Sequence, residues 1–180
     1  MYDNFEEGLV DENTWGWVGS GILLHRNDYE VFLGMRSSNV SPPNLYSIPG
    51  GQTPIPMRGS IGTIRASAFE EFYEEVGIIL DDSLYTGRFF VYPDMDLFVD
   101  INENENILEA YNAHGKYAQY IVFLYNTPDI LTSIDTYEKI PGYNWENDYF
   151  VWIPMNEIPY ENAIEGLQDE IETLLLDVIM

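Results

Sequence analysis

The stretch FEEFYEEVGI, Phe69 to Ile78, sets four glutamates into six positions with no basic residue among them. At about 100° per residue, Glu71, Glu74 and Glu75 share an arc of about 100° on a helix, and Glu70 widens it to about 140°. Ala68, Phe69, Phe72, Tyr73 and Val76 take the other side and are expected to face a core. Pairs 70/74 and 71/75 are like-charged at i, i+4, each costing about 0.2 to 0.5 kcal/mol. A face of this kind is either a solvated acidic surface or a seat for hard divalent cations, which take oxygen ligands and relieve the repulsion on binding. The chain has no cysteine, so a bound metal would rest on oxygen or histidine ligands.

A second segment bears on that choice. SIPGG, Ser47 to Gly51, ends 20 residues before Glu71. Together with Glu70-Glu71-Phe72-Tyr73-Glu74-Glu75-Val76-Gly77-Ile78 it resembles the signature of the Nudix hydrolase family, whose helical half reads Arg-Glu-apolar-x-Glu-Glu-x-Gly-apolar. Every position of that half but the first matches, and the likeness extends from about Trp17 to Met180. The resemblance implies an α/β (α+β) fold, a Nudix-like α/β/α sandwich with a mixed central sheet, one catalytic helix and a C-terminal helix. It also implies metal-dependent hydrolysis of a diphosphate bond in a nucleoside diphosphate linked to another moiety. ADP-ribose, nucleotide sugars, dinucleotide polyphosphates and nucleoside triphosphates all stay open as substrates. By the same resemblance Mg²⁺ or Mn²⁺ would be held by Glu71, Glu74 and Glu75 together with Gly50. Glu71, Glu74 and Glu146, the last matched to a glutamate ahead of the late strand, would serve the chemistry.

The chain departs from the family pattern in three places. The arginine that orients the first helix glutamate is Glu70 here. The connection between Gly51 and the helix is longer, and the early glutamate of the signature has no counterpart. Gln52 to Phe69 contains no acid, although the chain has 31, and it holds two of the seven basic residues, Arg58 and Arg65. These two are expected to contact substrate phosphate or to orient Glu71, the alternative being an ordinary surface insertion. Arg36, at the end of a strand, is the third candidate phosphate contact, with Arg26 and Arg88 weaker versions of the same idea. For the base, His114 stands beside Glu146 and the helix glutamates, while Asn147 occupies a position where the family often has histidine. Phe32, Tyr46, Tyr143 and Trp145 could stack on a nucleobase or belong to the core.

These residues need a scaffold. WVGSGILLH and EVFLGMR, joined by RNDY, read as a hairpin. LYSIPGG reads as a short strand entering a glycine turn, and a helix is expected from about Ile64 to Val76 with Gly77 at its stop. GRFFVYP, QYIVFLYNT and YFVWIPM are further β-rich runs, the Asp94 to Glu109 stretch reads as a surface loop, and ENAIEGLQDEIETLLLDVIM as an amphipathic terminal helix. The 180 residues, 46% hydrophobic and 15% aromatic, suffice for one core and suggest a single domain over 1–180.

A net charge of −24 repels phosphate backbones and acidic membranes, so extended nucleic-acid binding and messenger-RNA decapping are disfavoured. The start MYDNFEEGLVDENT lacks the pattern of a secretory signal, which leads to the expectation of a cytoplasmic protein. A small nucleotide is the expected partner, and a homodimer stays open. Two other function classes compete with hydrolysis: a nucleotide-sensing module on the same fold, and an acidic mimic of nucleic acid.

Overall fold

The structure, a computed structural model, describes residues 19–27, 29–40, 42–57, 61–92, 96–99, 120–134, 136–137, 146–164 and 166–179. Strands β1 (Gly19–Arg26) and β2 (Glu30–Arg36) form the hairpin read from the sequence. Asn27 and Tyr29 take positive φ at its tip. On the other side of β1 lies β7 (Tyr120–Asn126), parallel to it from Gly19↔Tyr120 to His25↔Asn126. The remaining pairings between strands are antiparallel, and an isolated parallel bridge joins Tyr46 to Ala163. β5 (Tyr85–Tyr92) joins β7, and β6 (Asp96–Val99) joins β5. β9 (Asn147–Pro154) joins β2, and β8 (Thr136–Tyr137) joins β9. Two short strands, β3 (Tyr46–Ser47) and β4 (Gly50–Gln52), add to β2 and β1 respectively. The sheet runs β6-β5-β7-β1-β2-β9-β8.

Both faces of this sheet are covered, which is why its central strands are almost uniformly apolar. Successive side chains alternate between faces. Ile22, Leu24, Phe32, Phe123, Tyr125, Phe150 and Trp152 form one core with Ile64, Ala68, Phe72 and Val76 of α1 (Ile61–Val76). Leu23, Val31, Leu33, Val122 and Leu124 form the other with Leu167 and Ile171 of α3 (Leu167–Ile179). A short helix, α2 (Asp129–Thr132), follows β7 and buries Leu131. The result is the expected mixed sheet between a glutamate helix and a C-terminal helix.

Three readings of the sequence are corrected. The acidic stretch taken for a loop contains β6, whose backbone pairs with β5 from Arg88↔Val99 to Val91↔Asp96. α1 begins at Ile61, three residues before the apolar periodicity starts. The terminal helix begins only at Leu167, because Gly166 takes φ +90, which is outside helical geometry, and the residues before it form 3-10 turns at Met155–Glu157 and Tyr160–Asn162.

Candidate functional site

α1 is held against the sheet by Ile64, Ala68, Phe72 and Val76 and stops at Gly77, whose φ of +82 lets its amide bond the Tyr73 carbonyl at 2.8 Å. That docking fixes where the glutamates point. Glu75 lies only about 20° from Ala68 in helical projection, on the edge of the packed side. It is buried, with 5% of its surface exposed. Tyr73, expected in the core, is 45% exposed. It sits about 100° beyond Phe72, past the edge of the sheet contact.

Both oxygens of Glu75 are engaged by neutral donors. The Gly50 amide donates to Oε2 at 2.9 Å, and the Asn147 amide Nδ2 donates to Oε1 at 2.7 Å. Burial pushes the Glu75 carboxyl well above its usual range and the charges of Glu146 and Glu71 add to this, while the two hydrogen bonds act in the opposite direction. Glu71 is raised to about 7 by burial first, then by the charges of Glu74, Glu146 and Glu70. The second glycine of Pro-Gly-Gly makes room for it: a Cβ on Gly51 would lie 2.7 Å from Glu71 Oε2.

Glu146 completes the group from the residue just ahead of β9. Its carbonyl accepts from the Ser37 amide at 2.8 Å, just after β2, which brings the entry of β9 to the end of that strand. Carboxylate oxygens of Glu71, Glu75 and Glu146 all lie within 4.8 Å of one another. Glu74 is exposed and stands beside this trio, felt by Glu71 through its charge. The charges that raise Glu71 and Glu75 are those of other carboxylates. An all-oxygen, uniformly anionic donor set of this size fits a hard divalent cation.

The basic candidates divide. Arg36 ends β2 opposite Asn147, and its Nε donates to the Pro42 carbonyl at 2.6 Å. Its charge is felt at the Tyr120 hydroxyl, which burial raises first and Glu170, Glu75 and Glu71 raise further, while Arg36 acts against them. Arg36 therefore stands within electrostatic reach of the same corner as the glutamates. Arg65 lies about 120° around α1 from Glu71. Its Nη1 donates to Asp82 at 2.5 Å and to the Tyr125 hydroxyl at 2.8 Å, with the guanidinium 4.3 Å from the centre of the Tyr85 ring. It ties α1 to β5 and β7. Arg26 is buried over the Trp152 ring and paired with Glu30 at 2.8 Å, a packing role in place of the phosphate contact considered from sequence. Phe32 is likewise core, stacked on Phe150 at 5.3 Å. Tyr46 is half-buried, its hydroxyl 3.4 Å from that of Tyr149. Arg58, His114, Tyr143 and Trp145 lie outside the described residues.

Asn147 is the residue that sequence reading passed over, noting it only as a replacement for histidine. The available signal was the projection of Glu75 towards Ala68, which calls for a buried polar partner.

No protein-family model matches the chain, and no curated protein matches it by sequence. Solved structures do. A Nudix hydrolase from Nitrosomonas europaea superposes with a TM-score of 0.54 at 16% identity, over 87% of this chain and 68% of that one. A UDP-X diphosphatase gives a TM-score of 0.54 at 13% identity, over 97% and 69%. A bifunctional NMN adenylyltransferase/ADP ribose pyrophosphatase from Francisella tularensis, solved with AMP and a manganese ion, gives 0.52 at 18% identity over 93% of this chain. The chain spans 43% of the length of that bifunctional protein. At these identities the likeness is one of fold, and it agrees with the Pro-Gly-Gly and glutamate-helix pattern: the chain has the Nudix hydrolase fold.

Proposed function

We propose that the protein hydrolyses the diphosphate bond of a nucleoside diphosphate linked to another moiety, in a reaction dependent on Mg²⁺ or Mn²⁺. The convergence of Glu71, Glu75 and Glu146 within 4.8 Å carries this reading, supported by the fold shared with a UDP-X diphosphatase and an ADP ribose pyrophosphatase. Glu71, Glu75 and Glu146, with Glu74 and Gly50 beside them, would hold the cation. The ion would supply charge neutralisation at the phosphates and lower the barrier to attack by water.

The chain's own groups divide the remaining work. Glu75, hydrogen-bonded on both oxygens, is a fixed anchor. Glu71 and Glu146 are the carboxylates able to accept the proton that water loses as it attacks phosphorus and the P–O bond to the leaving group breaks. Arg36 would meet a phosphate oxygen, and positioning plus charge complementarity would account for the catalysis without a covalent intermediate.

The test is a panel of ADP-ribose, nucleotide sugars, dinucleotide polyphosphates and nucleoside triphosphates, each with Mg²⁺ and Mn²⁺, read by product identity. The expected outcome is metal-dependent hydrolysis of at least one class, reduced by at least about 10²-fold in Glu71→Gln while nucleotide binding persists. Binding of nucleotide with no hydrolysis across the panel would replace this reading with a nucleotide-sensing module.

A further inference from the structure

Asn147 reaches Glu75 through an irregularity in the sheet. β2 and β9 pair in register from Glu30↔Pro154 to Met35↔Tyr149, and then shift so that Arg36 faces Asn147. The residue passed over is Asp148, which is exposed. In an uninterrupted strand Asn147 would share the face of Tyr149 and Val151, on the side of α3. The extra residue of the bulge turns it instead onto the face of Phe150, towards α1. There it is 2% exposed and donates to Glu75. The space it fills exists because position 34 is glycine: a Cβ on Gly34 would lie 2.8 Å from Asn147 Oδ1 and 2.7 Å from the Phe150 ring.

The chemistry of the side chain limits what it does. A carboxamide neither gains nor loses a proton near neutral pH, so Asn147 cannot act as the base. A lysine or arginine in its place would orient Glu75 and also neutralise it. A neutral donor orients it and leaves the negative charge available. The Gly50 amide does the same on the other oxygen.

We propose that Asn147, aimed by the bulge opposite Met35 and Arg36 and accommodated by Gly34, is a positioning residue that holds Glu75 as a fixed, charged ligand for a divalent cation. This rests on the metal-dependent reading above and adds to it the residue that orders the cation's buried ligand. Partners of a metal ligand of this kind are typically worth about 10 to 100-fold in metal affinity.

The experiment measures Mn²⁺ affinity of the full chain by titration of free Mn²⁺, together with melting temperature with and without Mn²⁺. Wild type is compared with Asn147→Ala, Asn147→His and Gly34→Ala. Asn147→Ala should bind Mn²⁺ at least about 10-fold more weakly and show a reduced Mn²⁺-induced rise in melting temperature. Asn147→His, whose ring N–H can still donate to the carboxylate, should recover most of the affinity. Gly34→Ala, which crowds the amide without removing it, should weaken Mn²⁺ in the same direction and carries the test if Asn147→Ala does not fold. Mn²⁺ affinity within twofold of wild type in folded Asn147→Ala overturns the proposal, as does a melting temperature lowered equally with and without metal. Wild-type protein without Mn²⁺ affinity overturns the metal-dependent reading as well, whereas normal wild-type affinity with an unaffected variant overturns the role of Asn147 alone.

Discussion

Glu74 and Glu75 are chain neighbours of identical chemistry with opposite surroundings. Glu74 is exposed, whereas Glu75 is buried between the Gly50 amide and Asn147. Removing charge at the two sites should therefore have different effects. Glu74→Gln should change stability by no more than about 0.5 kcal/mol, the usual range for a surface substitution. Glu75→Gln removes a buried charge that its surroundings oppose, and its amide can pair with Gly50 and a flipped Asn147, so the metal-free variant should melt at least as high as wild type at pH 8. It should also lose the Mn²⁺-induced rise in melting temperature. Thermal melts of both variants with and without Mn²⁺ check this, and a Glu75→Gln protein still stabilised by Mn²⁺ would remove Glu75 from the ligand set. The identity of the helix glutamates was legible in the sequence because i, i+3 and i+4 spacing is a local property. Their unequal burial was only half legible. The projection places Glu75 near Ala68, but Glu146 and Asn147 arrive there through the pairing of β9 with β2, a contact across more than a hundred residues of chain.

At the scale of elements, the long apolar runs identified themselves, since strands buried on both faces need continuous hydrophobic sequence. The elements that escaped are those whose pairing overrides composition. β6 is drawn into the sheet by the edge of β5, and the bulge in β9 leaves no mark in the sequence. α3 carries a further consequence of burial. Glu170, in its first turn, is 3% exposed, and its Oε1 has no hydrogen-bond partner. Burial, followed by the charge of Asp169, raises its carboxyl from 4.5 to about 8. Between those values the folded state retains a proton that the unfolded chain has released, so stability falls as pH rises through this window and levels off above it. Glu170→Gln should flatten that part of the profile: little change near pH 4.5, and a higher melting temperature than wild type at pH 8.5. Melts across this range provide the measurement, and parallel pH profiles for the two proteins would mean that Glu170 ionises normally in the fold.

The whole molecule carries 31 acidic residues against 7 basic ones, a net charge of −24 that opposes its own compaction. Monovalent salt should stabilise it by screening, with most of the gain complete by about 0.1 M, where the Debye length is about 10 Å. A divalent cation at equal ionic strength screens in the same diffuse way, and any excess stabilisation must come from a site that binds the ion in the folded state alone. Glu71, Glu75 and Glu146 are the candidate for such a site among the described residues, because folding brings their oxygens within 4.8 Å. An ion present at 100 times its dissociation constant adds about 2.7 kcal/mol by mass action. Melting curves in MgCl₂ or MnCl₂ should therefore lie above those in NaCl at matched ionic strength. The double variant Glu71→Gln/Glu75→Gln should lose that excess and keep the NaCl response, since only two of many charges have gone. Coincident curves for the two salts in wild type would mean that divalent ions act on the chain only as a diffuse atmosphere, and the glutamate helix would then be a solvated acidic face.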